Sequence, residues 1–194
     1  MDVDFLASYP SLFEAIDLKE TLSALKLVVF DVDGVLTDGG LLYSEQGEAL
    51  KRFNVKDGVA MKLLPKWGVT VAVITAKDSA PLRRRMDDLG VTHFYPSCHD
   101  KAAAFDELIS TLNIAPQHSA YVGDDVIDLQ VMPKVGVSFC PVDAHFLVKR
   151  HCHFILNKAA VQGVAREVAD VILATRMPLE EAYAVAQKPE FEKK

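Results

Sequence analysis

Short runs of consecutive apolar residues punctuate the chain, separated by longer stretches whose apolar positions recur at helical spacing. Leu27-Val28-Val29-Phe30 is the first run; Val69 to Ile74, Ser119 to Val122 and Val135 to Cys140 follow, and Phe154-Ile155-Leu156 is a fifth candidate. Continuous apolar runs of this length suit strands buried on both faces, as in a parallel sheet. Between them, Ser79 to Leu89 opens on a serine N-cap and stops at Gly90, and Lys101 to Leu112 carries apolar residues at helical spacing. Asp125 to Met132 predicts a short helix ahead of Pro133. Strands alternating with helices predict βαβ units: an α/β fold with a doubly wound, Rossmann-like, mostly parallel sheet and helices on both faces.

Two segments depart from that rhythm. Leu41 to Phe53, within residues 37–54, places Leu-Leu-Tyr and Ala-Leu-Lys-Arg-Phe on either side of Ser-Glu-Gln-Gly and reads as a β-hairpin inserted after the first strand. Ahead of that strand, Ser11 to Leu25 sets Leu12, Phe13, Ile16, Leu22 and Leu25 roughly on one helical face, a leader over residues 1–25. No repeat, low-complexity tract or linker divides the chain, so residues 1–194 read as one domain with a C-terminal tail over 177–194.

Composition narrows the class. The 194 residues, half of them apolar, suffice for about one packed domain. Twenty-seven acidic against 21 basic residues leave a net charge of −6, with no basic block to track a nucleic-acid backbone. No apolar run approaches the length of a membrane span, and MDVDFLASYP does not read as a secretory signal. Cys98, Cys140 and Cys152 fit neither a disulfide framework nor a zinc site, so a reduced cytoplasm is the expected setting.

In a doubly wound sheet, ligands bind beyond the carboxyl ends of the strands. There the first run is followed by Asp31-Val32-Asp33-Gly34, the second by Thr75, and the third by Gly123-Asp124-Asp125, with Asp128 one helical turn on. So many carboxylates repel one another unless a cation offsets them, and oxygen ligands with room for water suit Mg²⁺ beside a substrate phosphate. Asp31 and Asp33, two residues apart on extended chain, face one reacting group. Asp31 is the candidate nucleophile, forming an aspartyl-phosphate; Asp33 is the candidate acid and base. Phosphoryl transfer also calls for donors and a cation besides the metal, and Thr75 and Lys101 qualify.

These residues, in this order, resemble the four motifs of the haloacid dehalogenase superfamily of aspartate-nucleophile phosphatases. Asp31-Val32-Asp33-Gly34-Val35-Leu36-Thr37 is similar to the first motif, Thr75 to the second, Lys101 to the third, and Gly123-Asp124-Asp125-Val126-Ile127-Asp128 to the fourth. From about Leu25 to Leu173 the chain resembles the branch acting on 3-deoxy-D-manno-octulosonate 8-phosphate, through Phe53-Asn54-Val55-Lys56-Asp57-Gly58, Arg85 with Leu89-Gly90, and Asp143-Ala144-His145 with Val148-Lys149. The resemblance implies Mg²⁺ held by Asp31 and Asp124 side chains and the Asp33 backbone carbonyl. Behind it stand Asp125 and Asp128, the latter acting through water or by orienting Lys101. It also implies a capless enzyme, since only 41 residues separate Asp33 from Thr75. Such relatives are homotetramers joined through their hairpins, for which Leu41, Leu42 and Tyr43 would be interface material. Their substrates are small sugar phosphates, with no nucleic acid and no membrane involved.

Lys77 and Arg85 are the candidate substrate-binding residues. Relatives carry Gly-Arg after the motif Thr where this chain has Ala76-Lys77, exchanging a planar fork for a flexible point charge. Their glycine-rich tail corresponds to Ala159 through Glu167, where Gly163, Arg166 and Glu167 alone match. A nonulosonate 9-phosphate is therefore the alternative substrate. Outside the class, a non-catalytic binding protein or a phospho-accepting receiver-like domain is the rival, although receivers place their acidic pair on the first strand and the acceptor on a later one. A calcium loop is excluded because Gly34 falls fourth and Leu42 twelfth. His151-Cys152-His153 lacks a partner pair at zinc spacing, and Asp143 reads as an N-cap or as a functional residue.

Overall fold

The computed structural model describes residues 1–6 and 16–192. In chain order it contains α1 (Val3–Leu6), α2 (Ile16–Ser23), β1 (Leu27–Phe30), β2 (Leu42–Ser44), β3 (Gly47–Leu50), α3 (Val55–Lys66), β4 (Thr70–Ile74) and α4 (Ala80–Leu89). Then follow β5 (His93–Tyr95), α5 (Lys101–Leu112), β6 (Ser119–Val122), β7 (Val137–Cys140), α6 (Phe146–His151), β8 (Phe154–Ile155), α7 (Val164–Arg176) and α8 (Leu179–Ala184). In the expected leader, Leu12, Phe13 and the Ile16 side chain lie outside the description, whereas Leu22 and Leu25 are buried.

Six strands form a parallel sheet in the order β5-β4-β1-β6-β7-β8, confirming the expected doubly wound α/β fold. Alternation of side chains divides the apolar residues of the central strands between two cores. Val28 and Phe30 pack with Val71, Val73, Ala120 and Val122 beneath α3, α4 and α7. Leu27 and Val29 pack on the other face with Ala72, Ile74, Ala104, Phe105 and Leu108, the last three from α5. β1 is the switch point, because the chain leaves it for β4 on one side and later returns to β6 on the other. Registers Phe30↔Val73 and Phe30↔Val122 bring the three carboxyl ends level, and the Asp31 N–H continues the ladder onto the Val122 carbonyl at 2.9 Å.

Helix ends follow their caps. Asn54 accepts from the Lys56 N–H at 2.9 Å to open α3, and Asp100 accepts from Ala103 at 2.9 Å to open α5. Gly90 closes α4 in the left-handed conformation. The hairpin is present but shorter than expected, its two strands pairing only with each other. Two expectations are corrected. The expected helix over 125–132 is instead two 3₁₀ turns, Val126–Gln130 and Met132–Lys134; a capping box between Asp125 and Asp128 opens the first, and Pro133, which has no N–H, cannot extend it. A sixth strand, β5, had gone unnoticed: three half-buried residues at the sheet edge carry too little apolar pattern. No helix among the described residues is long and apolar enough to cross a membrane.

Candidate active site

The loops after β1, β4 and β6 enclose a cavity of about 400 Å³ lined by Asp31, Asp33, Thr75, Lys77, Asp124 and Asp125 among others. Lys101 lies beneath it as the first residue of α5, with no exposure to solvent. Its Nζ sits 3.0 Å from Asp31 Oδ2 and 2.7 Å from Asp128 Oδ1. Burial alone would push the ammonium toward neutrality, but the two carboxylates outweigh it and hold its pKa above the ordinary lysine value.

Asp128 is the hub of this arrangement. Oδ1 accepts from Lys101 and from the Tyr121 hydroxyl at 2.8 Å, while Oδ2 accepts the backbone N–H groups of Asp124 at 2.9 Å and Asp125 at 3.2 Å. One carboxylate thereby fixes both the lysine and the loop that presents Asp124. Gly123 is required there: a Cβ on it would fall 2.4 Å from Asp128 Cγ. Gly34, at φ +85°, takes the left-handed turn after Asp33, and a Cβ there would stand 2.0 Å from Asp124 Oδ2.

Oxygens of Asp31, Asp124 and Asp128 lie within 4.8 Å of one another, the one such group among the described residues with a metal-holding arrangement. Asp31 is pushed up to about 7, first by burial and then by the charge of Asp128. Asp124 is pushed up to about 8 by burial, with Asp31, Asp128 and Asp125 adding to it. Asp124 Oδ1 is buried without a hydrogen-bond partner. An orphaned carboxylate oxygen, and carboxyls driven toward protonation by one another, fit a hard divalent cation with an all-oxygen shell. Since both Asp128 oxygens already accept protein hydrogen bonds, Asp31 and Asp124 are the side chains free to ligate it, with Asp128 behind them.

Asp33 has a different setting. Its Oδ1 accepts from the Thr37 hydroxyl at 3.3 Å and is ion-paired with Lys51, the residue immediately after β3. Lys51 is held in turn by Glu48 at 2.8 Å, and its side chain is fully covered. Its pKa is raised because these partners offset its burial. The hairpin thus reaches back to grip the second aspartate of the first motif.

Thr75 is buried at the cavity wall, with the Lys77 N–H 3.4 Å from its Oγ1. Lys77 faces the cavity from an exposed position. Arg85 lies away from it, its Nη2 donating to the Asn54 carbonyl at 3.1 Å and its guanidinium stacked 5.7 Å above the Phe53 ring. Asp143 is not an N-cap; α6 is capped by His145, while Asp143 Oδ1 accepts the Ala160 N–H at 2.9 Å and both residues border the cavity. Sequence reasoning missed Lys51, Tyr121 and Gln130, whose Oε1 accepts the Lys101 backbone N–H at 3.0 Å.

A parallel sheet with aspartates gathered at its switch point is suited to metal-assisted phosphoryl transfer, and comparison with known proteins supplies the class. The model of the haloacid dehalogenase-like hydrolases matches residues 88–168. The chain is 40% identical over 166 residues to the 3-deoxy-D-manno-octulosonate 8-phosphate phosphatase KdsC of Yersinia pestis, covering 86% of this chain and 89% of that one. Among solved structures, the Moraxella catarrhalis 3-deoxy-D-manno-octulosonate 8-phosphate phosphatase, in complex with magnesium, phosphate and KDO, superposes with a TM-score of 0.83 at 31% identity, over 88% of this chain and 98% of that one. The cobalt-bound Haemophilus influenzae deoxy-D-mannose-octulosonate 8-phosphate phosphatase gives 0.80 at 36% identity, over 90% and 99%. The chain belongs to the 3-deoxy-D-manno-octulosonate 8-phosphate phosphatase family of haloacid dehalogenase-like hydrolases, and is a phosphoric monoester hydrolase.

Proposed function

We propose that the chain hydrolyses 3-deoxy-D-manno-octulosonate 8-phosphate to the free sugar acid and inorganic phosphate, using Mg²⁺ and an aspartyl-phosphate intermediate. The observation that carries this reading is the Asp31-Lys101-Asp128 chain, with Asp124 beside it, at the switch point of a family member. Asp31 attacks phosphorus. Asp33 protonates the leaving sugar oxygen and then takes the proton from the water that cleaves the acyl phosphate. Lys101 favours the ionised form of Asp31 and orients it, and Thr75 donates to a phosphoryl oxygen. Asp31, Asp124 and the Asp33 carbonyl would hold Mg²⁺, which when bound would supply charge neutralisation for the transferred group.

Specificity falls to the rim, where Lys77 meets the sugar acid. Arg85 contributes by holding the Phe53-Asn54 turn. The exposed apolar residues of the hairpin, Leu42 and Tyr43 at 53% and 65% exposure, support assembly through the hairpins into a homotetramer. The whole chain acts as one catalytic domain in the cytoplasm. A panel of sugar phosphates assayed for phosphate release with Mg²⁺ tests the reading. The eight-carbon keto-acid phosphate is expected to turn over best; a nine-carbon phosphate leading the panel would move the assignment to a nonulosonate, and no release from any member would refute it.

A further inference from the structure

Cys140 closes β7 at the carboxyl end of the sheet, next to the end of β6 that leads to Asp124, and Cys152 follows α6. Their sulfurs lie 3.1 Å apart, about 1 Å beyond a covalent S–S bond. Cys140 is buried and Cys152 half-buried, so a small oxidant reaches the pair through Cys152. The neighbouring histidines are occupied otherwise: His151 Nδ1 meets the Leu147 carbonyl at 2.7 Å, and His153 Nδ1 accepts the Ser138 N–H at 3.1 Å. No metal-holding group forms here among the described residues.

We propose that Cys140 and Cys152 are a peroxide-oxidisable dithiol whose disulfide alters the active site. The shared hydrogen bond favours thiolate on Cys152 and thiol on Cys140. The Cys152 thiolate attacks one oxygen of hydrogen peroxide; the O–O bond breaks, and the departing hydroxide takes a proton to become water, leaving a sulfenic acid. The Cys140 sulfur then attacks Cys152 Sγ, forming the S–S bond and releasing the hydroxyl, which leaves as water with the thiol proton. Two thiols lose two electrons and one peroxide becomes two waters.

The segment between the cysteines connects this step to the chemistry. Asp143 lines the active-site cavity, and the His145 N–H donates to the Asp124 carbonyl at 2.8 Å. Closing the sulfurs by about 1 Å draws the end of α6 toward the end of β7, and this displaces the segment that supports Asp124; shifts of that size at a phosphoryl-transfer site cost turnover. Cys98, whose Sγ contacts the Asp100 carbonyl at 3.3 Å, stands apart from the pair and is an internal control.

Full-length protein is treated with hydrogen peroxide, alkylated without reduction, weighed intact and mapped by peptide mass. The expected result is an intact mass equal to the parent plus one alkyl group less about 2 Da, a linked Cys140–Cys152 peptide, and Cys98 still alkylated. Turnover should fall at least about threefold, recover with dithiothreitol, and stay unchanged in Cys152→Ser and Cys140→Ala proteins treated in parallel. Added oxygen without a link, a link through Cys98, a linked protein at the untreated rate, or equal inactivation of the variants would each overturn the proposal. The mass readout stands whatever phosphate the enzyme prefers.

Discussion

Asp31 and Asp33 are separated by one residue yet live in two different regions. Asp31 belongs to the floor, buried under the sheet ends and bound to Lys101, with Asp128 and Asp124 crowding it. Asp33 belongs to the rim, partly exposed and gripped by Lys51 from the hairpin. The floor is built from strand ends in a register that the main ladder enforces, so its geometry depends on the fold itself. The rim is built from an inserted hairpin and the 159–162 loop, which nothing in the sheet requires. In the proposed mechanism the nucleophile and the metal-holding side chains rest on the floor, while the rim supplies the acid and base together with the substrate contacts, so substrate contacts can drift without disturbing the nucleophile.

Breaking the floor should have the largest effects. Asp31→Asn is expected to cut phosphate release by at least about 10³-fold while the protein still melts cooperatively, since the replacement keeps shape and removes the nucleophile. Lys101→Met leaves Asp31 and Asp128 facing each other without a counter-charge; a loss of about 3 kcal/mol in chemical denaturation at pH 8 is expected, together with most of the activity. A melting temperature equal to the parent would show that the lysine does not hold the carboxylates.

Intermediate effects test how the two regions are supported. Lys51→Met should lower kcat by about tenfold or more with a smaller change in KM, because the hairpin then no longer places Asp33. An unchanged kcat would reduce the hairpin to an assembly element. Tyr121→Phe removes one of four hydrogen bonds to Asp128, and about fivefold in kcat is expected from the loss of roughly 1 kcal/mol in a buried network.

The gentlest probe is pH. Asp31 and Asp124 are raised to about 7 and about 8, above their unfolded values, so the metal-free folded state binds extra protons between about pH 4 and 8. That contribution to stability is full below pH 4 and is lost as pH rises through the folded pKa values. Mg²⁺ competes with those protons, so the rise in Tm on adding it should grow from pH 5 to pH 8. A constant rise across that range would place the ion elsewhere.

Much of the floor was legible in the sequence because both its causes are local. Runs such as Leu27 to Phe30 are apolar on both faces, and the polar residues that follow each run fall at the strand ends by necessity. The rim was less legible because its contacts are set by tertiary placement: Lys51 reaches Asp33 across 18 positions, and nothing in Glu48-Ala49-Leu50-Lys51 announces it. Arg85 illustrates the same limit, since its helix turns it toward Asn54 and away from the aspartates. Tyr121 did carry a signal. A tyrosine hydroxyl on a strand buried along its whole length needs a polar partner, and Asp128, seven positions on, supplies it. The 3₁₀ turns were hidden because the Asp125–Asp128 capping box is the same signature that opens an α-helix, and Pro133 stops this one after a single turn.

In the proposed reaction Asp31 carries the phosphoryl group during Mg²⁺-dependent hydrolysis of a sugar-acid phosphate. Rapid acid quench of the enzyme turning over 3-deoxy-D-manno-octulosonate 8-phosphate, followed by borohydride trapping and peptide mass mapping, tests it directly. Reduction of Asp31 to the homoserine level is expected in the parent and none in Asp31→Asn. Label on another residue, or full turnover with no trapped acyl phosphate, would contradict it.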